Sequence, residues 1–314
     1  MNPINFLKFI EKTHPEYKWE DIKNQSIRKG YEVPSDDNDN AYTDGGKNGE
    51  FHRYSSYDEG DGPQNYVSRV TNYKDGVTHG NEIRYSSPGK IETITPYVNG
   101  VMEGTLKNFF DDGNISRTQE YKNGKLDGKS VWYGEQHPDK VRFVTYYKNG
   151  KMNGEEISYD TETGNVESIL TYVDNKRRGP YKYFWKSTGK LRAEGVHGEP
   201  DSDTDPNSFK DVGVIKRYYE SGQLDTYHDV NKGHIIRYEE NGEKKYESMD
   251  LGDDKYVASN FINGKLSASG HYKRVHIDGD IIHKSVADGP MSLYNPDGDI
   301  ITTFMYKDGE VINK

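Results

Sequence analysis

The chain carries ten histidines, the side chains best suited to binding a metal or moving a proton near neutral pH: His14, His52, His79, His137, His197, His228, His234, His271, His276 and His283. No two of them form a His-x3-His pair around a Glu, and the closest neighbours are His271 with His276 and His228 with His234. Spread over different phases of a repeat, they read as strand-surface histidines and not as a metal site. Neither a Gly-x-Ser-x-Gly elbow nor a Gly-x4-Gly-Lys-Ser/Thr phosphate loop is present. Glu155-Glu156 is an acid pair, but a shallow open sheet offers no desolvated pocket to move either pKa. The expectation is therefore no catalysis, no cofactor and no metal. What remains is charge. Asp201, Asp203 and Asp205, in an acidic stretch at 198–211, suit a basic partner, while Arg177 and Arg178, with Lys176, Lys182 and Lys186 beside them, suit an anionic one.

The elements that must position these groups come from a repeat. Tyr73-Lys-Asp-Gly76, Tyr97-Val-Asn-Gly100, Tyr121-Lys-Asn-Gly124, Tyr147-Lys-Asn-Gly150 and Tyr172-Val-Asp-Asn175 return every 24 to 26 residues. Four residues after each phrase comes a glycine (Gly80, Gly104, Gly128, Gly154, Gly179), and five further on an aromatic (Tyr85, Phe109, Tyr133, Tyr159, Phe184). Asn-Gly and Asp-Gly between alternating segments predict type I′ hairpin turns, whose two central residues need positive φ. A second turn follows each aromatic, closed by Gly89, Gly113, Gly164 or Gly189. Two residues past that glycine sits an aliphatic, with the next Tyr six beyond it: Ile91 and Tyr97, Ile115 and Tyr121, Val166 and Tyr172. The even offset predicts that both lie on one face of a strand. Each unit is thus two short strands and two tight turns of one antiparallel meander. The glycine-to-aromatic step recurs at Gly49/Tyr54, Gly213/Tyr218, Gly233/Tyr238 and Gly289/Tyr294, with a worn copy around Phe261-Ile-Asn-Gly264. At about 4.8 Å per strand, nine or ten units predict a ribbon of roughly 90–100 Å.

Composition agrees with a one-layer array. Only 31% of residues are hydrophobic, too few for one large core, and 26 of the 314 are Tyr, whose ring packs while its hydroxyl reaches water. The absence of cysteine excludes disulfides and thiolate zinc sites. No run of apolar residues is long enough to span a membrane and no secretory leader is recognisable, so a cytoplasmic protein is expected. The net charge of −10 is uneven: residues 116–192 hold 15 Lys/Arg against 10 Asp/Glu, and acid collects elsewhere. That modest, acid-interleaved basic centre argues against nucleic acid. Residues 1–33 differ from the rest. Asn2, Pro3 and the spacing of Ile4, Leu7 and Ile10 predict a helix, with a second after Pro15, together a cap over the first hairpin. An acidic linker at 34–48 follows, and the repeat array fills 49–314 with its acidic insertion at 198–211.

Stacked tyrosines and Asp-Gly turns also occur in cell-wall-binding repeats, but those need indole stacks, and this chain has only Trp19, Trp132 and Trp185. The closer resemblance is to the variant MORN repeat, carried best by Tyr121-Lys-Asn-Gly-Lys-Leu-Asp-Gly128 and Tyr147-Lys-Asn-Gly-Lys-Met-Asn-Gly154. That resemblance implies a mainly β fold, an elongated single-layer antiparallel sheet of repeated hairpins, here with a short helical N-terminal cap. It implies a binding platform with no shared catalytic residues. Bacterial proteins similar to this are classed as YwqK-like antitoxins, thought to act as immunity partners of toxins; eukaryotic relatives are associated with acidic phospholipids and scaffolding. The expected partner is a protein, a basic toxin among the candidates, with an anionic membrane or multi-protein assembly as the alternative and the oligomeric state open.

Overall fold

The structure, a computed structural model, describes residues 48–57, 64–199, 210–276 and 283–313. The expected helical cap and nearly all of the acidic linker lie outside the described residues, as do Asp201, Asp203 and Asp205. The described residues form strands joined by tight turns, with a single turn of 3-10 helix at Val230–Lys232. They divide into two compact units at the Gly164/Asn165 boundary.

The first unit comprises β1 (Gly49–Tyr57), β2 (Gln64–Lys74), β3 (Val77–Ser87), β4 (Lys90–Val98), β5 (Val101–Met102), β6 (Gly104–Phe109), β7 (Ile115–Lys122), β8 (Lys125–Tyr133), β9 (Val141–Lys148) and β10 (Lys151–Tyr159). The second comprises β11 (Val166–Val173), β12 (Lys176–Phe184), β13 (Leu191–His197), β14 (Asp211–Tyr218), β15 (Leu224–Asp229), β16 (His234–Tyr238), β17 (Lys244–Gly252), β18 (Lys255–Ile262), β19 (Lys265–His276), β20 (His283–Tyr294), β21 (Ile300–Lys307) and β22 (Glu310–Asn313). Within each unit consecutive strands pair antiparallel, as the repeat predicts, except that β5 and β6 both pair with β4.

The predicted turns are present. Asn99 and Gly100 have φ of 49° and 79°, and Asn123 and Gly124 of 50° and 75°, both positive as the type I′ turn requires. Asp174-Asn175 and Asp253-Asp254 adopt the same geometry without glycine. The second of these splits a stretch where the repeat is faint in the sequence into the hairpin β17–β18, and Asn263-Gly264 then turns β18 into β19. Gly233 keeps the repeat spacing, but it closes the 3-10 turn with φ 56°, a different use of the same residue.

The Asn123-Gly124 and Asn149-Gly150 turns are each fastened to the hairpin before them by two bonds. Gly124 N–H donates to Met102 O (2.9 Å) and Gly150 N–H to Leu126 O (2.7 Å). Asn123 N–H donates to Glu103 Oε2 (2.7 Å) and Asn149 N–H to Asp127 Oδ2 (2.9 Å). The acceptor side chain is each time the residue just before the in-strand glycine, so one period of sequence supplies both the turn and the hook for the next. The second unit repeats this at Asp308, whose N–H donates to Asp288 Oδ1 (3.3 Å).

The structure corrects the expected pairing of faces. Arg84 stands opposite Thr93, but Tyr85 stands opposite Ile91, so Glu92 is an extra residue and the alternation flips there. Ile91 therefore packs with Tyr85 and Phe109 against the buried cluster Val70, Ile83 and Ile94, on the face opposite Tyr97. The same shift recurs at Tyr54, Phe109, Tyr133, Phe184, Tyr218, Tyr238 and Tyr294. At β3 and β4 this bulge puts Ile91 and its partner Tyr85 together on the apolar face and leaves Tyr97 on the other.

Candidate binding surface

In the first unit the residue three past the in-strand glycine lies in the middle of the apolar face. Ile83 pairs with Ile94, and Val131 with Val144; all four are buried. Lys107 and Thr118 interrupt the row. In the second unit the same register row reads Lys182, Glu194, Lys216 and Tyr227 across β12 to β15. Long charged side chains on adjacent strands do not close over one another as Val and Ile do. The result is an open groove of about 400 Å³ lined by Pro180, Tyr181, Lys182, Glu194, Gly195, Val196, Val214, Lys216 and Tyr227. Glu194 Oε1 accepts from Tyr218 OH at 2.9 Å and lies 3.9 Å from Lys216 Nζ. Burial and that bond to Glu194 push the Tyr218 phenol up to about 12. The Lys182 side chain has no hydrogen bond or ion pair among the described residues.

Behind the groove the second unit departs from the repeat again. Tyr97, Tyr121 and Tyr147 stand opposite Gly80, Gly104 and Gly128; opposite Gly179 stands His197. His197 is 3% exposed and stacks on Tyr181, with ring centroids 4.1 Å apart and planes 19° from parallel. Its Nδ1 donates to Asp211 Oδ1 at 3.0 Å, and Tyr181 OH reaches Asp211 Oδ2 at 3.5 Å. Burial pushes the His197 pKa down, and the bond and charge of Asp211 only partly restore it. Burial, with the Asp211 charge next, pushes Tyr181 up to about 12. Both rings are therefore neutral at pH 7 and stack without like-charge repulsion. Tyr181 also lies over Gly195, where a Cβ would fall 2.5 Å from the phenol oxygen, so only glycine fits beneath it.

His197 ends β13 and Asp211 begins β14, so the pair closes the root of the acidic insertion. Gly198 N–H donates to Lys210 O at 2.8 Å just outside it. The groove, the stacked rings and this root are contiguous on β12, β13 and β14.

The arginines expected to face an anionic surface are engaged within the chain. Arg177 Nε donates to Tyr172 OH at 3.0 Å, Arg178 pairs with Glu199, and Lys186 Nζ lies 2.5 Å from Glu167. Sequence reasoning missed His197, Tyr181 and Asp211. A signal was present: counting six from Leu191, by the rule that finds each repeat Tyr, lands on His197. Among the described residues no three His, Asp or Glu side chains come together to hold a metal, and no helix is long and apolar enough to cross a membrane.

Residues 102–123 match the family model of the MORN repeat variant. The match runs from the end of β5 to the Asn of the next turn, most of one period of the array, and supports the MORN-repeat resemblance. No curated protein matches the chain. Hairpin units outside the matched segment share its positive-φ turns, as at Asn149-Gly150 and Asp308-Gly309.

Proposed function

We propose that the chain is a non-catalytic, cytoplasmic binding module of MORN type, and that it neutralises a protein partner, in the manner of an immunity protein or antitoxin, by covering part of its surface. The observation that carries this reading is the change at one register row. Paired hairpins are kept in both units, while the aliphatic row of the first has a charged, partly apolar groove as its counterpart in the second, beside the His197–Asp211 pair. A change that gains no packing is what a recognition surface looks like. A basic partner is favoured: the sequence between His197 and Asp211 carries Asp201, Asp203 and Asp205, and complementary charge raises the rate of encounter. Engagement of Arg177, Arg178 and Lys186 by neighbouring groups weighs against an anionic membrane.

The test is a tagged pull-down from the native host with mass spectrometry, followed by titration of the recovered partner. One stoichiometric protein, toxic when expressed alone and bound less tightly by the triple Asp201→Asn, Asp203→Asn, Asp205→Asn variant with a flatter salt dependence, is the expected result. Recovery with membranes or a many-component assembly would overturn it in favour of a scaffold.

A further inference from the structure

The polar face of the first unit holds a second feature that the groove does not use. Arg53 stands opposite Arg69, and Arg69 opposite Arg84, three arginines in one register row on three consecutive strands. Residues directly opposite in an antiparallel pair share a face with Cα atoms about 4.5–5.5 Å apart, and like charges so placed are destabilising. Arg84 is partly relieved, its Nε 2.9 Å from Glu82 Oε1. Arg53 and Arg69 have no ion pair among the described residues. The row runs on through Thr93 and Asn108 to Arg117, which is held by Asn108 Oδ1 (3.1 Å) and lies 4.5 Å over the ring of Trp132. Trp132 is itself 43% exposed. A stripe that is cationic at one end and carries an exposed, pre-stacked Arg–Trp pair at the other is costly for folding and well made for binding, since Arg and Trp dominate the energetics of interfaces.

We propose that this stripe docks an acidic amphipathic helix of a partner protein, with carboxylates over Arg53, Arg69 and Arg84 and an apolar side chain against Trp132. Spacing selects the helix. Three strands at about 4.8 Å put the outer arginines roughly 10 Å apart. Carboxylates at i, i+3 or i+4, and i+7 on a helix span about 10 Å, whereas three same-face residues of an extended strand span about 13 Å. From Arg53 to Trp132 is six strand spacings, roughly 29 Å, the length of a helix of about 19 residues. The net charge of −10 repels a long polyanion such as nucleic acid, but a short helix meets only the local stripe. Docking of the helix here does not depend on which partner occupies the groove of the second unit.

The probe is a synthetic, fluorescently labelled 21-residue helix with three Glu at i, i+4 and i+7 near one end and Leu near the other, titrated against the full chain. Controls are a helix of the same composition with its Glu residues on all faces, a 20-mer of oligo-dT, and vesicles containing phosphatidylserine. The expected result is saturable binding of the patterned helix, weakened about tenfold by Arg53→Gln with Arg69→Gln and several-fold by Trp132→Phe. The double arginine variant should melt at the same temperature or higher, because repulsion is relieved. No binding of the patterned helix, equal binding of the scattered helix, tighter binding of oligo-dT or vesicles, or a lower melting temperature in the arginine variant would each overturn the proposal.

Discussion

The row three past the in-strand glycine is aliphatic at Ile83, Ile94, Val131 and Val144 and charged at Lys182, Glu194 and Lys216, yet the turns and bulges around it are the same. The difference teaches where this fold stores its stability and where it has room to vary. Backbone geometry is set by Asn, Asp and Gly at the turns and by the hook residue before each in-strand glycine. The middle of the face adds burial where it is apolar. Where it is not, the frame still closes, held by Tyr181, His197 and Asp211 on the other side.

That contrast makes the two units respond differently to the same kind of truncation. Ile83→Ala removes a 3% exposed side chain from the cluster with Val70 and Ile94, and should cost about 2–5 kcal/mol, read as lost hydrogen-exchange protection in β2 to β4. A loss confined below about 1 kcal/mol would mean that the apolar row is not a core. Gly195→Ala should cost about 1–3 kcal/mol, because the Tyr181 ring must move off its stack with His197. Near-UV circular dichroism should change with it; an unaltered signal would show that the ring has free space.

The third difference is pH. The folded chain holds His197 below its ordinary value of 6.5, so the neutral form is the one that stabilises. That contribution is fully present above about pH 6.5 and is lost as pH falls, when the unfolded chain takes up a proton that the folded one resists. His197→Gln should therefore flatten the fall in unfolding temperature between about pH 7.5 and 5.5. His228, also lowered chiefly by burial, leaves a residual slope. An identical slope in the variant would remove His197 from this role. The smallest effect is expected at Lys182→Ala, within about 0.5 kcal/mol of the parent in stability. A loss comparable with that of Ile83→Ala would erase the contrast between the rows.

Much of this frame was legible in the sequence, because Asn-Gly turns and a glycine at fixed offset are local and periodic. The bulge was not. An offset of six between Ile91 and Tyr97 predicts one face, and only the ladder shows the extra Glu92 that puts them on two. The glycine-free turn at Asp253-Asp254 was hidden for a related reason, since its positive φ values are enforced by pairing on both sides rather than by residue type. The candidate surface was the least legible part. His197 and Asp211 are 14 residues apart in the chain and meet only because β13 and β14 pair across the insertion. Arg177 and Arg178 looked like a free basic cluster because Tyr172 and Glu199 come beside them only in the folded sheet.

The most direct test of the charged row as a recognition surface is hydrogen exchange on the chain alone and with its recovered protein partner. The expected result is new protection in β12, β13 and β14 around Lys182, Glu194 and Lys216, with the Asn-Gly turns of β7 to β10 unchanged. Protection confined to those turns, or none in β12 to β14 at saturating partner, would contradict it.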